Sequence, residues 1–218
     1  VFLYYFVERE RNKKGLQAEM LRSARLQKEN FQAQLEGLRN QMNPHFLFNS
    51  LNVLTSLIPL DQTKATKFTR QLSEVYRSFV DNSDKVLIPL RRELEVARAY
   101  IFLLETRFGE ADKFNIDISS EVMDLQLPPG SLQVLLENAI KHNGSTRKKP
   151  LKISVFTEKN KLIVKNNLQP RIEKMISTGI GLQNLKSRYK FLSDEEVELK
   201  KTETEFIASI PLLKVEAL

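Results

Sequence analysis

The chain contains no cysteine, which excludes both a disulfide framework and a thiolate metal site. Histidine is nearly as scarce: His45 and His142 are the only two, too few for a histidine-rich metal centre. Long apolar runs are missing too. The opening stretch VFLYYFV is far shorter than the roughly 20 apolar residues a spanning helix needs. Helix breakers are sparse early on, with Gly15 and Gly37 the only glycines between Glu8 and Ile58 and no proline before Pro44.

What is present suits a globular cytosolic protein. The 218 residues are enough for one large domain or two small ones, and 41% are hydrophobic and 28% charged. Lys and Arg outnumber Asp and Glu by 34 to 27, giving +7 and a pI near 9.5. A basic balance suits a polyanion partner. The two signs are interspersed, however, and no aromatic-basic platform is visible, so nucleic acid is not expected. The chain begins at Val1, not Met, and reads as part of a longer protein. VFLYYFV is followed at once by ERERNKK, and two readings stand for residues 1–7. One is the end of a membrane helix, with interfacial aromatics followed by cytosolic Arg and Lys. The other is a partly buried helix end.

Phe31, Leu35, Leu38 and Met42 follow a 4-3-4 spacing, the seam of a coiled coil or helical bundle. Continued, the spacing lands on His45, Asn49, Asn52 and Ser56, so the seam turns polar. A second apolar stripe begins at Leu47 and runs through Leu51, Leu54 and Ile58. Two positions on a helix are about 200° apart, which places this stripe opposite His45 and predicts that it is the buried one. Pro44 lies at the switch, where an interior proline costs roughly 3 kcal/mol.

A second helix is expected from Asp61 as N-cap, with Ala65, Phe68, Leu72, Val75 and Phe79 inward. A third follows Pro89, with Leu90, Leu94, Ala97, Ile101, Leu104 and Phe108 inward, and stops at Gly109. Three amphipathic helices in succession predict a bundle completed by a second copy of the chain. The texture then changes. Phe114, Ile116 and Ile118 alternate as a strand, Ser131 to His142 reads as a helix, and LKISVF and KLIVKN form a hairpin. A helix after GIG and two strands, VELKK and FIASIPL, follow. The fold class is therefore α+β in two parts: a helical hairpin and coiled coil forming a dimeric bundle over residues 8–110, then an α/β sandwich over residues 111–218.

Three stretches carry chemistry. In QMNPHFLFNSLN, His45 faces outward, and imidazole is a nucleophile able to accept a phosphoryl group. Asn49, one turn on, is placed to position a water or phosphate. In LLENAIKHN, the Asn138 amide oxygen suits Mg²⁺ and Lys141 suits phosphate, with Glu137 and His142 nearby. In STGIGLQNLKSRY, Gly179 and Gly181 open a helix whose backbone amides suit phosphates. Taken alone, the last two read first as an ordinary polar helix face and a flexible turn.

In this order, the three stretches resemble the LytS-type sensor histidine kinases. QMNPHFLFNSLN is similar to their phosphoacceptor segment, LLENAIKHN to their N box, and STGIGLQNL to the glycine box of the Bergerat ATP-binding fold. IPLRRELEVARAYIFLLETRFG is similar to the helix joining the two parts, so the likeness covers nearly everything from Leu38 onward. It implies a homodimeric phosphotransfer bundle and a catalytic domain that binds ATP and Mg²⁺. His45 matches the phosphorylated histidine and Asn138 the Mg²⁺-binding asparagine. Lys141, His142 and Asn143 match residues near the phosphates, and Gly179 and Gly181 the ATP lid. Asn184 and Arg188 match polar residues of the helix after the lid, with no role assigned. Asn49 is placed for a phosphatase or positioning role. The implied reaction moves the γ-phosphoryl of ATP to His45 and then to an aspartate of a response regulator, at the cytoplasmic face of a membrane.

Two departures stand out. The carboxylate that usually receives the adenine amino group is replaced by Asn166 in VKNNLQP, a neutral acceptor, and Leu168 stands where a glycine is usual. Phe46 fills the slot after the histidine where the main histidine-kinase class often has an acidic base, leaving Glu137 and Glu93 as candidate bases. The rival expectation is a non-catalytic dimeric scaffold with a degenerate ATP site.

Overall fold

A computed structural model describes residues 44–109, 112–169 and 180–214. The expected coiled coil, the VFLYYFV segment and Gly179 lie outside the described residues. From Phe46 onward the chain packs as one compact unit.

Helix α1 spans Pro44–Leu57. Proline heads this element, and in a first turn its missing N–H breaks no intrahelical bond, so the cost of an interior proline does not arise in the described helix. Its inward side differs from the expected one. Phe46 and Ser50 are buried, and Val53, Leu54 and Leu57 pack against the core. Leu51 and Ile58 are 44% and 53% exposed, and Phe48 is 66% exposed. The helix thus has two apolar stripes, and periodicity could not say which one its own chain covers.

Helix α2, Gln62–Asp81, starts where a local cap starts it: Asp61 Oδ1 accepts from the Lys64 N–H at 2.8 Å. Ala65, Phe68, Leu72 and Val75 are buried, as the spacing predicted. Strand β1, Ile88–Pro89, leads into α3, Leu90–Phe108, which packs along α2. Leu90, Leu94, Ala97, Ile101 and Leu104 face inward as expected. Phe108 is 43% exposed instead, with the Arg107 guanidinium 4.6 Å above its ring, because the helix ends at Gly109, where φ is +74°. A second side of α3 is also buried, at Glu93, Val96, Ala99, Tyr100 and Leu103. The sequence assigned α3 to the first part of the chain, yet it packs against both parts.

Strand β2, Lys113–Asp117, is followed by a 3₁₀ turn at Ser120–Val122 and by β3, Gln126–Leu127, which pairs antiparallel with β1. Helix α4, Ser131–His142, then crosses to β4, Lys152–Glu158. That intervening helix lets β2 and β4 pair in parallel. Strands β4 and β5 (Lys161–Asn167) form the expected hairpin. Its turn residues Lys159 and Asn160 both have positive φ, as a type I′ turn requires. Helix α5, Ile180–Lys190, precedes β6, Glu198–Lys201, and β7, Glu205–Pro211. The five-stranded mixed sheet has the order β2-β4-β5-β7-β6. Its buried positions alternate, as at Leu162, Val164 and Asn166 of β5, and α4 packs against that strand while touching α3 and α5. The α+β architecture is as expected.

Candidate functional site

His45 is exposed in the first turn of α1, at the head of a stripe in which Asn49 is half-buried and Asn52 and Ser56 are exposed. The Ser56 hydroxyl turns back to the helix, donating to the Val53 carbonyl at 2.9 Å. The polar stripe read from the sequence is therefore present.

The remaining predicted residues gather on α4, β5 and α5, three elements in mutual contact through α4. Helix α4 begins with an uncommon device. Its N-cap, Gly130, has φ +76° and offers no side chain. The missing cap comes from α3, where the Glu93 carboxylate accepts from the Gly130 N–H at 3.0 Å and the Leu132 N–H at 2.8 Å. A carboxylate suits the positive end of a helix. Glu93 is only 3% exposed, and burial pushes its carboxyl above the usual range against the opposing pull of those N–H groups and Arg188. With both oxygens bonded to the start of α4, Glu93 caps the helix, and the sequence reading of it as a base is corrected.

Arg188, on α5, donates to the Pro129 carbonyl at 2.8 Å and lies beside Glu93. Next to it, the buried Tyr189 hydroxyl donates to the Pro211 carbonyl at 3.0 Å. Arg188 therefore ties α5 to the loop that opens α4. Asn184 is exposed on the same helix. At Gly181, an added Cβ would meet Val134 Cγ1 at 3.4 Å, an ordinary contact, so packing alone does not demand glycine there.

Along α4, Asn138 and Lys141 are half-buried. His142 is more exposed, and its imidazole is held below its usual range by desolvation, then by the Lys141 and Lys201 charges. Asn143 is buried. Its Nδ2 donates to the Ala139 carbonyl at 2.8 Å and its Oδ1 accepts from the Gln169 N–H at 2.7 Å. That amide fastens the end of α4 to the chain leaving β5. Asn166 is 2% exposed on the helix-covered face of the sheet, and its Nδ2 donates to the Asn167 carbonyl at 2.8 Å.

Glu137 turns toward the helices. Its Oε1 accepts from Gln133 Nε2 at 3.0 Å and from the Tyr100 hydroxyl at 3.4 Å. Burial and then the Glu137 charge push the Tyr76 phenol up to about 12, and the same two causes raise Tyr100. Neither tyrosine stood out in the sequence. They read as two more aromatic positions on amphipathic helices, with no local pattern to separate them from core.

Comparisons with known proteins bear on this arrangement. The Histidine kinase family profile matches residues 33–112. Sensor protein LytS of Oceanobacillus iheyensis is 32% identical over 203 residues, 85% of this chain and 34% of that protein. The chain belongs to the LytS-type histidine kinase family. The sensor histidine kinase/phosphatase LytS of Staphylococcus aureus is 31% identical over 185 residues, 77% of this chain and 32% of that protein. The LytS-type chain described here thus spans about a third of the length of these relatives. Among solved structures, the cytoplasmic segment of histidine kinase QseC matches at 20% identity with a TM-score of 0.44, over 69% of this chain and 93% of that one. That likeness is too loose to carry weight. Among the described residues of this LytS-type chain, no helix is long and apolar enough to cross a membrane.

Proposed function

We propose that this chain is the kinase core of a two-component sensor, in which His45 accepts the γ-phosphoryl group of ATP and passes it to an aspartate of a response regulator. An imidazole nitrogen attacks the γ-phosphorus, an N–P bond forms, the bond to the β–γ bridging oxygen breaks, and ADP leaves. The nitrogen's proton goes to a base, for which Glu137 is the remaining candidate. Catalysis of this kind is chiefly positioning and charge neutralisation. The observation that carries the reading is the conjunction of an exposed His45 at the head of a polar stripe with LytS-type family membership.

ATP would lie against α4, β5 and the start of α5, with Asn166 accepting from adenine, Lys141 and His142 near the phosphates, and Gly179 and Gly181 in the lid. This is the Bergerat arrangement. Among the described residues there is no cluster of three or more His, Cys, Asp or Glu side chains, and the polar group at hand is the Asn138 amide. That donor set fits Mg²⁺ arriving with the nucleotide, held by phosphate oxygens, water and Asn138. Such an ion would neutralise phosphate charge.

Residues 8–110 then serve dimerisation and phosphotransfer and residues 111–218 nucleotide binding, with α3 packed between them. Phe48 and Leu51, exposed on α1, and Ile58, exposed just beyond its end, favour a second copy of the chain as the bundle partner. Asn49 suits a phosphatase or positioning role one turn from His45. The chain would work at the cytoplasmic face of a membrane, joined to it through a preceding segment.

A second reading, a non-catalytic dimeric scaffold, is favoured by one feature: the residue matching the adenine acceptor is the neutral Asn166, whose amide oxygen is a weaker acceptor than a carboxylate. The deciding experiment is incubation with Mg²⁺ and γ-labelled ATP beside His45→Ala. Label that survives alkali, is lost in acid and is absent from a still-dimeric His45→Ala protein supports the kinase. A folded dimer that takes up no label and gives no heat with Mg²⁺ and nucleotide supports the scaffold.

A further inference from the structure

Tyr100 on α3 stands between two residues that flank the chemistry. Its ring lies 5.0 Å from that of Phe46, centroid to centroid and tilted by 43°, and Phe46 directly follows His45. Its hydroxyl donates to Glu137, which directly precedes Asn138. The Gln133 amide donates to the same carboxylate oxygen from one turn earlier on α4. Both Tyr100 and Phe46 are buried, at 3% and 5% exposure. Packing alone does not select this arrangement. Phenylalanine would fill the space without a hydroxyl to desolvate, and a buried hydroxyl is costly unless it is bonded. The raised Tyr76 and Tyr100 phenols stay protonated, so Tyr100 remains a donor to the carboxylate at any ordinary pH.

We propose that Tyr100 is a positioning residue for phosphoryl transfer, its hydroxyl fixing the Glu137 carboxylate beside Asn138 while its ring seats Phe46 beside His45. The inference rests on the kinase reading and deepens it. Tyr100 is not itself proposed to contact the reacting atoms. It acts through its two neighbours, joining the helix that carries the phosphoacceptor to the helix that carries the nucleotide asparagine. The Phe46–Tyr100 contact and the Tyr100–Glu137 bond belong to one side chain, so α1 and α4 are registered against each other through α3.

The test uses the full 218-residue chain carrying Tyr100→Phe, Glu137→Gln or both. It measures the rate of His45 labelling at saturating ATP, the KM for ATP, nucleotide affinity by calorimetry, and the urea midpoint. Tyr100→Phe keeps the ring, so the midpoint, the KM and the affinity are expected to stay within about twofold. The labelling rate is expected to fall roughly tenfold, the size of one lost hydrogen bond to a charged group. Glu137→Gln is expected to slow labelling at least as much, and the double variant to be no slower than Glu137→Gln, because the two groups act as a unit. A Tyr100→Phe protein that labels at the unaltered rate overturns the proposal. So do a parallel loss of rate, affinity and stability, or single-variant effects that multiply in the double. Failure of the unaltered protein to label at all is a different pattern. It overturns the kinase reading, and this inference with it.

Discussion

In the α/β layer, the apolar residues of α4, β4, β5 and β7 are covered by one another within a single chain, with Leu132, Leu136, Leu162 and Ile210 fully enclosed. Helix α1, by contrast, covers one apolar stripe and leaves Phe48 and Leu51 outside, with Ile58 exposed just past its end. The difference separates a part that closes on itself from a part that leaves apolar surface open. On the proposed function, the self-enclosed layer would hold the nucleotide, while α1, with its polar stripe and second apolar stripe accessible, would meet more than one surface in turn.

The largest expected effect breaks the self-sufficient side. Glu93→Ala leaves the part-buried Gly130 N–H and the buried Leu132 N–H without their acceptor. It is expected to cost about 3 kcal/mol in urea denaturation, from roughly 1–3 kcal/mol for each unsatisfied buried group. An unchanged midpoint would mean that α4 does not depend on its cap from α3. Next comes the open side. Leu51→Ser with Ile58→Ser is expected to weaken the proposed dimer by tenfold or more, since burying a leucine-sized side chain is worth about 1.5–3 kcal/mol. Sedimentation would read this, and the midpoint measured at high dilution should not fall. A loss of monomer stability instead would place those residues in the chain's own core.

Smaller effects sharpen the nucleotide end. Asn166→Asp restores a charged acceptor at the cost of the bond to the Asn167 carbonyl. Calorimetry is expected to show ATP binding tightened by up to about tenfold. Weaker binding would mean that the buried charge outweighs the gain at a position only 2% exposed. The smallest change is Gly181→Ala. Space for a Cβ exists at 3.4 Å from Val134, and removing a helical glycine should raise stability by about 0.5 kcal/mol. A fall in the thermal midpoint would show that the helix start is held more tightly than its packing suggests.

Much of this was legible in the sequence because it is local. Asp61 caps α2 through a residue three positions away, and Lys159-Asn160 closes a hairpin between two alternating runs. The periodicity of α2 predicted its inward face, and that of α3 one of its two buried sides, apart from the exposed Phe108. The candidate site was legible as motifs, His45 and LLENAIKHN above all, with the stripe from His45 to Ser56 following from helical spacing alone. The strands β1 and β3 were not legible, since two-residue strands carry no periodicity and exist only because they find each other.

The sequence by itself determined the α+β class, the order of the longer elements, the polar stripe carrying His45 and the family. These depend on spacings of three or four residues and on short motifs, which any stretch of chain carries with it. The tertiary structure alone decided which of the two stripes of α1 is covered, and it turned Glu93 from a candidate base into the cap of a helix that begins 38 residues later. It also brought Tyr100 between Phe46 and Glu137. A buried polar group must find its partner wherever the fold presents one, and no local pattern records that distance.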